Sequence, residues 1–180
     1  MTWVKRNNRP KLGISSCLLG EKVRYDGDHK RNTFIIEQLS RQFEFVPICP
    51  EVAIGMGIPR PPMHLVDCDG DIRALDIANP DKDMTQSLSD YAIEISQQLA
   101  SLSGYIFKSK SPSCGITGVK VWNGRDYELR GQGIFARAVM QALPGLPLID
   151  EQQLADEFLR EQFFKNVNTH YQSLQKQLLT

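Results

Sequence analysis

The sequence predicts an α/β fold, with an open, mostly parallel, Rossmann-like sheet and helices on both faces. Short apolar runs alternate along the chain with segments whose apolar residues recur at helical spacing, as in parallel sheets joined by helices. Hydrophobic residues make up 41% of the 180-residue chain, which suits one domain with a sizeable core. Three cysteines follow shortly after strand-like runs, where such sheets bind their ligands.

Four short apolar runs are predicted to form the parallel sheet. They are residues 12–16, 43–48, 104–108 and 146–149. Two further runs, residues 65–66 and 72–75, flank the turn sequence DCDG at residues 67–70 and predict a small β-hairpin. The PRPP segment at residues 59–62 predicts a rigid, extended connection, because proline disfavours helix at and before its own position.

Helices are predicted between the strands. They lie at about residues 32–41, 50–55, 85–102, 134–143 and 151–165. Asn32 and Asp150 are suitable N-caps for the first and the last, and Pro50 suits the first turn of the second. The pattern divides the chain into a flexible N-terminal segment at residues 1–10, a main domain at residues 11–150 and a C-terminal helical extension at residues 151–180.

Charge and hydropathy argue against a large nucleic-acid footprint and a membrane partner, and leave a local basic patch open. Lys plus Arg and Asp plus Glu are equal at 21 each, so no global field draws the chain to nucleic acid or to a membrane surface. No apolar run of 18 residues predicts a membrane span, and the polar, basic N-terminus lacks the apolar core of a secretory signal. We therefore expect a cytoplasmic protein, whose cysteines stay reduced or bind metal.

Cys17, Cys49 and Cys114 are the candidate metal ligands. They are 32 and 65 residues apart, and each follows a predicted strand, so their thiols are expected to meet in one crevice. Three thiolates leave one position of a cluster or metal open, as substrate chemistry requires. Spacing alone does not separate zinc from iron–sulfur, although distant cysteines without a histidine favour iron–sulfur. Cys68 is excluded, because neighbouring carboxylates disfavour its thiolate.

Other polar residues lie near these cysteines. Glu51 could act as a general base beside a metal, although a helix-capping role is the more ordinary explanation for a carboxylate there. Lys108 and Lys110 belong to a basic, serine-rich loop before Cys114 and could offset the charge of a thiolate-bound cluster. The GQG sequence at residues 131–133 is a weak match to a phosphate-binding turn and is better explained by close packing.

Several of these segments together resemble the thiouracil desulfidase family, formerly a domain of unknown function. The matching sequences are SSCLLG at 15–20, VRYDG at 23–27, PICPEV at 47–52, PRPP at 59–62, KSKSPSCG at 108–115 and GQGIFA at 131–136. The resemblance covers residues 11 to about 150, as a short form. Some relatives carry a further C-terminal domain, and residues 159–164 look like the segment that leads into it.

The resemblance implies a cofactor and a reaction. Cys17, Cys49 and Cys114 would hold a 4Fe-4S cluster with one iron not bound by protein, and a thiolated pyrimidine would bind that iron through its sulfur. Glu51 and Ser111 match the family's proton-handling residues. Water would replace the sulfur of thiouracil or 4-thiouridine and sulfide would be released without net redox change, a reaction suited to nucleobase salvage.

Residues expected to bind the substrate surround the cysteines. They are Arg24, Asp26, Lys108, Lys110 and Ser113. The balanced charge predicts a free base or nucleoside as substrate, without a large nucleic-acid footprint. Two alternatives stay open: a non-catalytic zinc or iron–sulfur site that fastens the loops together, and a sulfur carrier that passes a persulfide through Cys68 or Cys114.

Overall fold

The computed structural model describes residues 9–177. Residues 1–8 of the predicted flexible segment lie outside the described residues, as do residues 178–180. A four-stranded parallel sheet with the order β2-β1-β5-β8 forms the centre of the fold. Its strands are β1 (Lys11–Ser15), β2 (Glu44–Ile48), β5 (Gly104–Phe107) and β8 (Leu148–Asp150). Leu12 of β1 pairs with Phe45 of β2 on one side and Gly104 of β5 on the other.

Helices cover both faces of this sheet, as predicted. The helices are α1 (Thr33–Glu37), α2 (Pro50–Ala53), α3 (Thr85–Glu94), α4 (Ser96–Ala100), α5 (Ile134–Ala142) and α6 (Glu157–Gln177). Ile106 packs in a core that includes residues of α1 and α6, whereas Tyr105 and Phe107 pack in a second core with α3, α4 and α5. Successive strand residues point to opposite faces, so β5 is buried on both.

A second, mixed sheet corrects the prediction of strict strand–helix alternation. Its order is β4-β3-β6-β7. The strands are β3 (Met63–Cys68), β4 (Asp71–Asp76), β6 (Val119–Trp122) and β7 (Tyr127–Gly131). β3 and β4 form the predicted hairpin, but β6 and β7 were not predicted. The first four residues of β7 are exposed, so this strand lacks the apolar alternation that identifies a half-buried strand.

Three predicted helices differ in their limits. Asn32 caps α1 by accepting a hydrogen bond from the Ile35 amide, but α1 ends early and a separate 3₁₀ turn follows at Leu39–Arg41. The long helix predicted at residues 85–102 is divided into α3 and α4 at Ile95, whose ψ is 5°. Asp150 does not cap the last helix: its side chain accepts from the amides of Gln152 and Gln153 at the start of a 3₁₀ turn, Gln153–Ala155. Asp156 caps α6 by accepting from the Leu159 amide.

The C-terminal helix belongs to the main core along part of its length. Phe163 and Val167 of α6 are buried in the core that contains Leu12 and Ile14 of β1. The predicted C-terminal extension therefore packs against the parallel sheet. Within residues 9–177, no helix is both long enough and apolar enough to cross a membrane.

Candidate active site

A cavity of about 440 Å³ lies at the carboxyl ends of β1, β2 and β5. The loops after these three strands contribute Cys17, Cys49 and Cys114 to its lining. The mixed sheet contributes apolar residues, Met63 at the start of β3 and Ile77 just after β4. The structure thus brings the three predicted cysteines to one cavity, as expected for the edge at which parallel strands end.

Cys17 lies in a single 3₁₀ turn, Ser16–Leu19, directly after β1. The turn ends at Gly20, whose φ of 96° is readily adopted by glycine. The Cys17 carbonyl oxygen accepts hydrogen bonds from the amides of Gly20 at 3.3 Å and Lys30 at 2.8 Å, which fold the polar loop back toward the cavity. Burial raises the pKa of the Cys17 thiol to about 11, so a cation is needed to hold its thiolate at neutral pH.

Cys49 is the N-cap of α2, with Pro50 in the first helical position. Its thiol donates a hydrogen bond to the Val23 carbonyl oxygen, with the sulfur 3.8 Å away. Burial raises the pKa of Cys49, while a hydrogen bond from the Val52 amide lowers it in part. This amide is a donor that a metal-bound thiolate could use.

Ser111 and Ser15 hold the turn that carries Cys114. The Ser111 hydroxyl oxygen accepts hydrogen bonds from the amides of Ser113 at 3.2 Å and Cys114 at 3.1 Å. Ser15 Oγ accepts from the Lys108 amide at 2.9 Å, and the Ser15 side chain also hydrogen-bonds Cys114. Burial raises the pKa of Cys114 well above its usual value, and the nearby Glu51 carboxylate raises it further.

Gly133 lets α5 pack closely against this turn, and Gly115 lets the turn pack against β6. A Cβ on Gly133 would lie 2.4 Å from the carbonyl carbon of Ser113 and 2.6 Å from the Cys114 amide nitrogen. A Cβ on Gly115 would lie 2.4 Å from a methyl group of Val119. The Gly133 amide donates to the Gly115 carbonyl oxygen at 2.7 Å. The close-packing explanation for the GQG sequence is therefore confirmed.

The donor set of the cavity fits an iron–sulfur cluster. Such a cluster takes its thiolates on separate irons, so it needs several thiols around one cavity, which Cys17, Cys49 and Cys114 provide. Across residues 9–177, no three His, Cys, Asp or Glu side chains form a group placed to hold a single metal ion.

Glu51 lines the same cavity from the first turn of α2, where a carboxylate also complements the helix dipole. Its Oε2 accepts hydrogen bonds from Nε of Arg60 at 2.8 Å and from Nη2 of the same guanidinium. Its Oε1 accepts a 2.6 Å hydrogen bond from the hydroxyl of Ser113. Ser113, predicted to bind substrate, is fully buried, so its hydroxyl serves to orient Glu51.

A second buried ion pair lies behind the serine-rich loop. Lys108 lines the cavity, and its ammonium pairs with Glu151, which does not line it. Glu151 also accepts hydrogen bonds from the amide and the hydroxyl of Ser109, at 2.7 Å and 2.6 Å. Burial favours a higher pKa for Glu151, but these hydrogen bonds outweigh burial and lower the pKa below its usual value. This pair ties the loop after β5 to the end of β8.

The remaining predicted residues differ in their access to the cavity. Arg24 and Lys110 line it. Lys110 has a φ of 59°, a left-handed conformation that is uncommon for a residue with a side chain. Asp26 does not line the cavity; it pairs with Arg24, with Nε and Oδ1 3.3 Å apart. Cys68, which was excluded from the site, lies at the hairpin of the mixed sheet opposite Asp71.

Sequence reasoning missed four residues that hold the site. They are Ser15, Arg60, Ser109 and Glu151. Arg60 was noted only as part of the proline-rich segment, and Glu151 only as the start of a helix. Their contacts join segments far apart in sequence, so local patterns carry no sign of them. An arginine between two prolines is a sequence signal that could have drawn attention to Arg60.

Comparison with known proteins gives a consistent picture. A family model described as 2-thiouracil desulfurase matches residues 12–151. The uncharacterized protein YbbK of Bacillus subtilis (strain 168) is 29% identical over 153 residues, covering 79% of this chain and 97% of that protein. A solved structure, the 4Fe-4S-dependent thiouracil desulfidase TudS, is 28% identical with a TM-score of 0.63. That match covers 86% of this chain and 99% of the TudS chain.

Proposed function

Because this chain belongs to the 2-thiouracil desulfurase family, we propose that it is a 4Fe-4S-dependent desulfidase that converts thiolated pyrimidines to their oxo forms. One observation carries the proposal: three cysteine thiols, two buried and one half-buried, and a carboxylate line a single cavity at the carboxyl ends of three parallel strands. The similarity to TudS, which is described as 4Fe-4S-dependent, supports the cofactor.

Cys17, Cys49 and Cys114 would hold the cluster, and three protein ligands leave one iron without a protein ligand. When bound, the cluster supplies a soft Lewis acid for the thiocarbonyl sulfur and makes the ring carbon electrophilic. Around it, Ser15 and the Val52 amide would donate hydrogen bonds to the sulfurs of Cys114 and Cys49.

Glu51 is the residue that would accept a proton from the attacking water. Oε1 accepts one hydrogen bond from Ser113, which leaves that oxygen able to accept a second, from water in the cavity. Ser111 is the candidate proton relay, because its oxygen accepts hydrogen bonds from two amides while its own hydroxyl proton is not used in those bonds. The water oxygen would stay on the ring carbon. One water proton would pass to Glu51 and the other through Ser111 to the sulfur, which would leave as hydrosulfide, so no electron donor would be needed.

Arg24, Lys108 and Lys110 are proposed to face the polar edge of the substrate, since all three line the cavity. Met63 and Ile77 supply apolar surface for the ring. The equal numbers of acidic and basic residues favour a free base or nucleoside over intact RNA.

The test is turnover by protein that has been reconstituted under anaerobic conditions. We expect loss of the thiocarbonyl absorbance of 2-thiouracil or 4-thiouridine to match the sulfide formed, mole for mole, without reductant. Protein that has not been loaded with iron and sulfide is the control. A fully loaded protein that leaves every thiopyrimidine intact would favour the non-catalytic alternative. The sulfur-carrier alternative requires an accessible thiol. Cys114 is 6% exposed, which leaves to that alternative Cys68, a half-buried residue outside the cavity lining.

A further inference from the structure

Arg60 is a buried charged residue to which neither the sequence patterns nor the proposed function assign a role. It lies in the proline-rich segment after α2, and only 3% of its side chain is exposed. A guanidinium is rarely buried to this degree unless its charge is paired and its N–H groups are hydrogen-bonded. Its partners therefore indicate what it does.

The Arg60 guanidinium joins three segments around the cavity. Nε and Nη2 both donate to Oε2 of Glu51. Nη1 donates to the carbonyl oxygens of Val23 and Gly57, each at 2.9 Å. The Arg60 amide also donates to the Tyr25 carbonyl oxygen at 2.9 Å. The residue thus fixes Glu51 relative to the loop that follows β1.

One of these partners is shared with a candidate cluster ligand. The Val23 carbonyl oxygen that accepts from Arg60 also accepts from the Cys49 thiol, at 3.8 Å. Arg60 therefore holds Glu51 and the Val23 carbonyl beside Cys49 in one frame. A cluster-bound Cys49 thiolate would have no proton to donate to Val23, so this frame would then depend on the bonds that Arg60 makes. Ser113 holds the other carboxylate oxygen, so rotation of the Glu51 carboxylate is restrained at both oxygens.

We propose that Arg60 is a positioning residue that acts through Glu51, holding its carboxylate in the orientation needed to take a proton from water. This inference rests on the proposed function. Lysine would keep the charge but could not reproduce the planar fork that reaches Glu51 and two carbonyl oxygens together. Misplacement of a catalytic group by about 1 Å can cost on the order of 10²-fold in rate.

The experiment is a double-mutant cycle with Arg60→Lys, Glu51→Gln and the two changes combined, all in the reconstituted protein. For Arg60→Lys we expect kcat for 2-thiouracil to fall about 10–100-fold, as is typical for residues that support a site, with KM within about twofold. Iron and sulfide per chain should equal wild type. In the Glu51→Gln background, Arg60→Lys should lower kcat no further, because its target is already gone.

Arg130→Lys is the matched control, since Arg130 forms an exposed ion pair with Asp67 on the mixed sheet, and it should leave kcat unchanged. The inference would be overturned if the kcat losses of the two single variants multiply in the double variant, or if the loss of kcat in Arg60→Lys parallels a loss of iron. If Arg60→Lys does not fold, Arg60→Gln is tested in its place. If neither variant folds, Arg60 has a structural role only, and the inference is overturned. A loaded wild type without turnover would overturn the proposed function and this inference together, whereas an active wild type with an equally active Arg60→Lys would overturn this inference alone.

Discussion

The loops after the parallel strands line the cavity with thiols, hydroxyls and charged side chains. The mixed sheet instead lines it with the apolar residues Pro62, Met63 and Ile77. Parallel strands all end at one edge, so the loops after them collect polar groups in one place. In the mixed sheet, β3 and β6 are parallel and each runs into a hairpin, so both turns lie at one end. The opposite end, where β3 begins and β4 ends, meets the cavity with Met63 and Ile77. The polar groups therefore gather at the parallel sheet, and the mixed sheet supplies apolar surface for the ring of the proposed substrate.

Substitution of the cysteines is the most severe test of this division, because we expect complete loss of cluster binding and turnover. Cys49→Ala should abolish cluster binding and turnover, because two thiolates are too few to hold the cluster. Cys68→Ala, on the mixed sheet, should leave both intact. Iron and sulfide counts with the visible absorption spectrum provide the measurement. A fully loaded Cys49→Ala variant would contradict the assignment of the ligands.

The two buried ion pairs differ in whether the carboxylate lines the cavity, as Glu51 does and Glu151 does not, and this predicts different effects on turnover. Glu51→Gln should lower kcat by about 10²–10⁴-fold, typical of a general acid–base group, without loss of iron. Glu151→Gln should lower kcat less than tenfold and cost about 1–3 kcal/mol of stability, because Lys108 loses a charged partner. Single-turnover kinetics and urea unfolding measure the two quantities. Wild-type turnover in Glu51→Gln would leave that carboxylate only a structural role.

Substituting one tightly packed glycine beside each sheet compares how packing affects stability and cluster loading. Gly133→Ala should cost about 1–3 kcal/mol and reduce cluster loading, because the new Cβ meets the backbone of the turn that carries Cys114. Gly131→Ala places its Cβ 2.5 Å from a Val121 methyl group of the mixed sheet and should destabilise without affecting loading. Denaturant unfolding and iron content test both. Equal loading in the two variants would show that packing at Gly133 does not position Cys114.

Ile77 gives the smallest expected effect. Half of this side chain is exposed, and Ile77→Ala removes apolar surface from the cavity lining without touching the polar wall. We expect KM for 2-thiouracil to rise about fivefold, equivalent to about 1 kcal/mol of lost apolar contact, with kcat unchanged. Steady-state kinetics measure both constants. A fall in kcat at constant KM would mean that the mixed sheet takes part in the chemistry.

The sequence predicted the parallel sheet more completely than the mixed sheet. The parallel strands are continuous apolar runs, so they and the cysteines after them were found together. The mixed sheet was found only as its hairpin, where Asp69 and Gly70 both adopt positive φ and give a two-residue turn. β7 was missed because its exposed residues carry little periodic signal.

Within the site, the residues could be predicted but not their pairing. Glu51 was singled out by its place beside Cys49, yet its partners Arg60 and Ser113 are set by how two loops fold over the cavity. The same limit applies to Ser113, which was expected to face the substrate. Its burial depends on the approach of α5 at Gly133, which no local pattern in the sequence specifies.

The strand pairing sets the order in which the three cysteines come together as the protein folds. β1 pairs with β2, its neighbour in sequence among the strands of this sheet, and this brings Cys17 and Cys49 together. Cys114 arrives only when β5 has paired with β1, with Leu12 opposite Gly104. Contacts between such distant segments form slowly, because the intervening loop must close before they are made. Cys114 is therefore expected to be the last of the three thiols to reach the cavity, and the proposed cluster could be held by all three only after β5 has paired with β1.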